Sequence, residues 1–126
     1  MSDADIAVVR RLCEQWAWLS REDFHALFAP DCLYLNIPMP EVRNVGPDAA
    51  HRMLSRMAER WQVSLQVIHI AASGPAVLAE RLERFEDRAA GVTCELPVMG
   101  AFELKDGQIT AWRDYFDLAQ AKPLLG

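Results

Sequence analysis

Residues 91–118 read GVTCELPVMGAFELKDGQITAWRDYFDL. Within them, Lys105-Asp106-Gly107-Gln108 is a hairpin signal, because Asp-Gly accepts the positive φ of a tight turn. Residues 91–104 are then one long strand, and Ile109 to about Leu118 is its partner. Working back, Ser73-Gly74-Pro75 is a second turn, and residues 76–86 are the strand that leaves it. From residue 62 onward the pattern has period two, with Val63, Leu65, Val67 and His69 recurring on one face. The second half of the chain is therefore a run of antiparallel strands.

The first half has helical periodicity. Ile6, Val9, Leu12, Cys13, Trp16 and Leu19 form one apolar stripe, which predicts a helix over 4–19. Ser20 reads as an N-cap with Asp23 as its capping partner. The short second helix carries Phe24, Leu27 and Phe28 inward and stops before Pro30. Residues 31–37 form a short strand, ended by Pro38-Met39-Pro40-Glu41 because proline cannot donate to a ladder. A third helix begins near Gly46-Pro47-Asp48, with Met53, Leu54, Met57, Ala58 and Trp61 as its apolar face. The expectation is one α+β domain over 1–126, with three N-terminal helices packed on one face of a strongly bent sheet. Such a sheet encloses a pocket of the kind that binds small molecules.

Composition narrows the function. Hydrophobic residues make up 52% of the 126 residues, which suits an apolar cavity or a buried subunit contact beside an ordinary core. The net charge of -5 argues against a nucleic-acid partner and against an anionic membrane surface. The acidic start, Met1-Ser2-Asp3-Ala4-Asp5, lacks the pattern of a secretory signal, and no apolar run reaches the length of a membrane span. Cys13, Cys32 and Cys94 are odd in number and widely spaced, which predicts buried thiols in a reducing cytoplasm, with neither disulfide nor zinc site.

Side chains at i and i+2 of a strand share a face. By that rule Tyr34 pairs with Asn36, Arg81 pairs with Glu83, and Asp114 sits with Trp112 and Phe116, each set among apolar neighbours. A plain reading exists for each. Arg81–Glu83 and Arg113–Asp114 can be solvated ion pairs on an open sheet, where such pairs contribute little, and Tyr34 and Asn36 can cap a strand end. His25 and His51 lie on helices as surface residues, and His69 in its strand is read as a satisfied core histidine. Met39, Met53, Met57 and Met99 suit core filling or a pocket wall.

Three stretches carry a more specific signal: Tyr34-Leu35-Asn36-Ile37-Pro38-Met39-Pro40, Glu80-Arg81-Leu82-Glu83, and Gly100 to Leu118 with its run Ala111-Trp112-Arg113-Asp114-Tyr115-Phe116-Asp117-Leu118. Together they resemble limonene-1,2-epoxide hydrolase, and the likeness runs from the first helix to residue 118. The resemblance implies the cystatin-like cone, a curved, mostly antiparallel mixed sheet with a deep apolar pocket, also seen in nuclear transport factor 2 and ketosteroid isomerase. It implies a homodimer, and Arg113 and Tyr115 form an outward face that can meet a partner. It implies a water held by Tyr34, Asn36 and Asp114, and an Arg81 that bridges Asp114 to a second carboxylate at position 83. The family has Asp there, and Glu83 is a departure by one methylene. The expected pocket is walled by Trp112, Phe116, Phe85, Met53, Met57, Leu96 and Val98.

Opening an epoxide in one step needs a base for the attacking water and an acid for the departing oxygen, and two carboxylates in different protonation states supply both. The expected activity is therefore a hydrolase acting on a small apolar epoxide, with no metal and no cofactor. Two other readings stay open: an isomerase or polyketide cyclase on the same cone with Asp114 as base, and a binding domain without turnover. No Gly-x-Ser-x-Gly elbow supports a serine mechanism.

Overall fold

Ser20 starts the second helix as its sequence demands. The Ser20 hydroxyl accepts from the Asp23 amide at 3.1 Å, and the Asp23 carboxylate accepts from the Ser20 amide at 2.9 Å. This computed structural model describes residues 2–125. Its helices are α1 (Ser2–Gln15), α2 (Arg21–Leu27), α3 (Pro47–Arg60) and a short α4 (Lys122–Leu125). Its strands are β1 (Phe28–Asn36), β2 (Arg43–Val45), β3 (Gln62–Ser73), β4 (Ala76–Asp87), β5 (Val92–Lys105) and β6 (Gln108–Tyr115).

The strands form one mixed sheet in the order β2-β1-β6-β5-β4-β3. β1 runs parallel to β6, and every other neighbouring pair is antiparallel. The β5–β6 turn is built as the Asp-Gly pair requires, with φ of 53° at Asp106 and 79° at Gly107. The helical layer covers one face: α1 packs on β3 and β4, and α2 and α3 pack on each other and on β1. Between the layers Val9, Leu12, Phe24, Phe28, Phe85, Phe102, Ile109 and Trp112 are fully buried. All three cysteines are buried free thiols. Among the described residues no helix is long and apolar enough to cross a membrane.

Several boundaries differ from the sequence reading. α1 ends at Gln15, so Trp16 and Leu19 are buried beyond the helix and not on its stripe. Phe28 does not ride on α2; it begins β1, and Pro30 lies inside that strand. The β1–β6 ladder slips between Phe28 and Leu33, which accommodates a residue with no N–H to give. β2 and α4 are too short to leave a periodic signal. His69 is no core residue: its side chain is 82% exposed and meets Glu80 at 2.8 Å, because the β3–β4 register shifts between Val67 and His69. His25 is exposed and contacts Asp48 at 2.7 Å, whereas His51 is half-buried with its ring edge-on to Phe24.

Candidate active site

Three strands aim polar side chains at the layer beneath the helices. β4 buries Arg81 and Glu83, β6 buries Asp114, and β1 buries Tyr34 and Asn36. The parallel ladder pairs Tyr34 with Trp112 and Asn36 with Asp114, so sequence positions about eighty residues apart become neighbours. Arg81 is the hub, at 1% exposure. Its Nη1 donates to Asp114 Oδ1 at 2.7 Å and its Nη2 to Asp114 Oδ2 at 2.9 Å, a bidentate clamp. The same Nη2 donates to Glu83 Oε2 at 3.1 Å. The solvated-pair reading of Arg81 and Glu83 is thereby excluded. Arg113 instead pairs with Glu103 at 2.6 Å, away from Asp114.

Further donors complete the carboxylates. The Trp112 indole Nε1 donates to Asp114 Oδ1 at 2.7 Å, and the Trp16 indole Nε1 donates to Glu83 Oε2 at 3.1 Å. The Tyr34 hydroxyl donates to Asn36 Oδ1 at 3.4 Å, and its ring stacks on Trp112 with centroids 3.9 Å apart. One cation and two ionised carboxylates would leave a surplus negative charge in a dry interior, where such a charge is costly. Burial accordingly pushes the Glu83 carboxyl above the usual glutamate range, with Arg81 pulling against it and Asp114 adding to it. Burial also holds the Tyr34 phenol neutral, and it pushes the Cys13 thiol on α1, beside this cluster, up to about 12.

Tyr34, Asn36, Glu83 and Asp114 line a cavity of about 80 Å³. The rest of its wall is almost wholly apolar and includes Met53, Met57, Phe85, Leu96, Val98 and Phe116. Arg81 lies behind the two carboxylates and not on the wall. Trp112, expected on the wall, is covered by Tyr34 and acts from behind as a donor to Asp114. The cluster therefore presents two carboxylates of unlike environment, an amide and a phenol to whatever enters an otherwise apolar pocket. Among the described residues no group of His, Cys, Asp and Glu is placed to hold a metal ion.

The sequence profile of the limonene-1,2-epoxide hydrolase catalytic domain matches residues 4–122. The chain belongs to the limonene-1,2-epoxide hydrolase family. Among its relatives is epoxide hydrolase EphG of Mycobacterium tuberculosis, 35% identical over 103 residues; the match spans 79% of this chain and 66% of that protein, just under two thirds. A solved LEH-like epoxide hydrolase from M. tuberculosis superposes with a TM-score of 0.81 at 30% identity, over 98% of this chain and 91% of that one. A Jannaschia sp. CCS1 structure assigned to the SnoaL-like polyketide cyclases superposes with a TM-score of 0.84 over 96% of this chain and 90% of that one. At 17% identity it shares the fold alone.

Within this limonene-1,2-epoxide hydrolase family fold, sequence reasoning missed several residues. Trp16, Leu54, Ala121, Leu124 and Leu125 also line the cavity, beside Met39, whose place on a pocket wall the sequence had allowed. Segment 117–125 reaches it by a turn after β6, held where the Cys94 thiol donates to the Gln120 carbonyl at 3.3 Å. Gly100 is the other omission. A Cβ there would run into Arg81 Nη1 and stand 2.7 Å from Phe102 Cε1 and 2.9 Å from Asp114 Oδ1. A glycine inside a strand pattern is a recognised sign of such close approach, but not of what approaches.

Proposed function

We propose that this chain is a cofactor-independent epoxide hydrolase that adds water to a small apolar epoxide, giving a vicinal diol in one step. The observation that carries the reading is Arg81 bonded to both Asp114 and Glu83, with both carboxylates facing one apolar cavity. Asp114, clamped by three N–H donors, is the base, and Glu83, whose carboxyl burial pushes toward the protonated form, is the acid. Tyr34 and Asn36 orient a water beside Asp114. Asp114 takes a proton from that water as its oxygen bonds to an epoxide carbon. The carbon–oxygen bond on the far side breaks, and Glu83 gives its proton to the leaving oxygen. The proton then returns from Asp114 to Glu83 before the next turnover. Trp112 stabilises the ionised Asp114 by its indole N–H. The small cavity and its methionines favour a compact apolar substrate, and thioether side chains adapt to its outline.

A panel of terpene, styrene and cyclohexene oxides, assayed for diol, tests this. Diol from at least one member supports it. No diol across the panel would count against it and favour an isomerase or cyclase that uses Asp114 alone as base. The buried thiols fit a cytoplasmic location. We also assign a homodimer to the outer face of the sheet, where Met99 and Tyr115 are cross-strand partners and both exposed, with exposed Leu78 nearby. Light scattering at micromolar concentration would contradict this by finding a monomer.

A further inference from the structure

Both side-chain hydrogen bonds to Glu83 end on one oxygen. Trp16 Nε1 and Arg81 Nη2 each donate to Oε2 at 3.1 Å. An oxygen that accepts two N–H bonds has no room for its own proton, so a protonated Glu83 carries its hydrogen on Oε1. Glu83 lines the cavity, and Oε1 is the oxygen left free to serve it. We propose that Trp16 is the positioning residue that selects this tautomer, holding Oε2 as the acceptor and presenting the Oε1 hydrogen to the pocket. The inference rests on Glu83 being the acid of the proposed reaction.

The indole is well placed for this role. Trp16 follows the last residue of α1, and its amide donates to the Leu12 carbonyl at 3.0 Å, which fixes the backbone. Its ring is buried and packs tilted on Phe85, with centroids 6.3 Å apart. The bond joins α1 to β4 across sixty-seven residues of sequence, so the helical layer helps to set the chemistry of the sheet. Glutamate, with one methylene more than aspartate, extends further from β4 toward α1. An aspartate at 83 would draw the carboxyl back from Trp16.

An indole donor favours the ionised form, so its loss makes Glu83 hold its proton more firmly. The charged and titratable groups around Glu83 are Arg81 on its own strand, Asp114 on β6, Tyr34 on β1 and Cys13 on α1. Trp16→Phe keeps the ring packing and removes the N–H. It should lower kcat by roughly ten- to a hundredfold, the size of one hydrogen bond to a charged group. KM should change far less. The alkaline limb of kcat/KM should move to higher pH, which loss of packing alone would not do.

A second readout needs no turnover. Protein labelled with ¹³C at glutamate carboxyls, with Glu83 assigned through Glu83→Gln, reports the Glu83 titration directly, and Trp16→Phe should move it upward. An unmoved titration would overturn the assignment of Trp16. A moved titration in a protein that makes no diol supports the Trp16 contact and sinks the hydrolase reading instead. If Trp16→Phe does not fold, the indole N–H resonance of Trp16 in the unaltered protein decides. It should follow the Glu83 titration, and a flat response overturns the proposal.

Discussion

Gly100 stands directly across the β5–β6 ladder from Asp114, and the space of its missing side chain is filled by the Arg81–Asp114 ion pair. Arg81 cannot swing aside cheaply, because three hydrogen bonds hold its guanidinium in a dry site. Gly100→Ala should therefore strain the clamp and not merely crowd a wall. Overpacking of this kind costs about 1–3 kcal/mol. Thermal melts should show that loss, and diol formation should fall with it. Unchanged stability and activity would mean that Arg81 has another place to go.

Removal of the proposed acid or the proposed base separates a two-carboxylate reaction from one that uses a single base. Glu83→Gln keeps the shape but cannot give up a proton, so kcat should fall by roughly a hundredfold to ten-thousandfold. Asp114→Asn should lose at least as much. Glu83→Asp shortens the acid and withdraws it from Trp16, and a misplacement near 1 Å costs about a hundredfold. Initial-rate kinetics on any epoxide turned over would check the three. Full activity in a folded Glu83→Gln protein removes Glu83 from the mechanism.

The raised Glu83 also makes stability depend on pH, with a definite sign. The unfolded chain releases this proton near the ordinary glutamate value of about 4.3, and the folded chain releases it at higher pH. Between the two, the folded state binds more protons, so the Glu83 contribution to stability is whole below that window and is lost as pH rises through it. Denaturant melts at a series of pH values should show this decline, and Glu83→Gln should flatten it. Catalysis should fall along its alkaline limb as the proposed acid ionises, with pH rising through the folded-state value. Parallel slopes in the two proteins would refute the linkage.

The oxygen added to the diol should come from water directly. In the proposed reaction Tyr34, Asn36 and Asp114 hold a water, so neither carboxylate has to attack carbon. A single turnover in heavy-oxygen water should label the diol and leave the protein unlabelled. Label in Asp114 or Glu83 would point to an ester intermediate.

Local chemistry was legible from residues alone. The Asp106-Gly107 turn, the Ser20–Asp23 capping box and the placing of Tyr34 with Asn36, and of Arg81 with Glu83, each follow from a few adjacent residues. These features depend on φ preferences, on one side chain reaching a nearby amide, and on the alternation of a strand. Three relationships are not encoded by neighbouring residues: Asn36 beside Asp114, which only the family resemblance implied, and Trp16 on Glu83 and Gly100 beneath Arg81, which only the tertiary structure showed. The first depends on β1 entering the sheet parallel to β6, which no turn encodes, because a backbone ladder pairs any two strands alike. The second depends on where α1 ends over β4, and that is set by packing of the whole helical layer. The short α4, which brings Leu124 and Leu125 to the cavity, has too few residues for a period and is held by contacts with β5. The residue types at the site are a property of the chain, but their distances exist only once distant strands share a register.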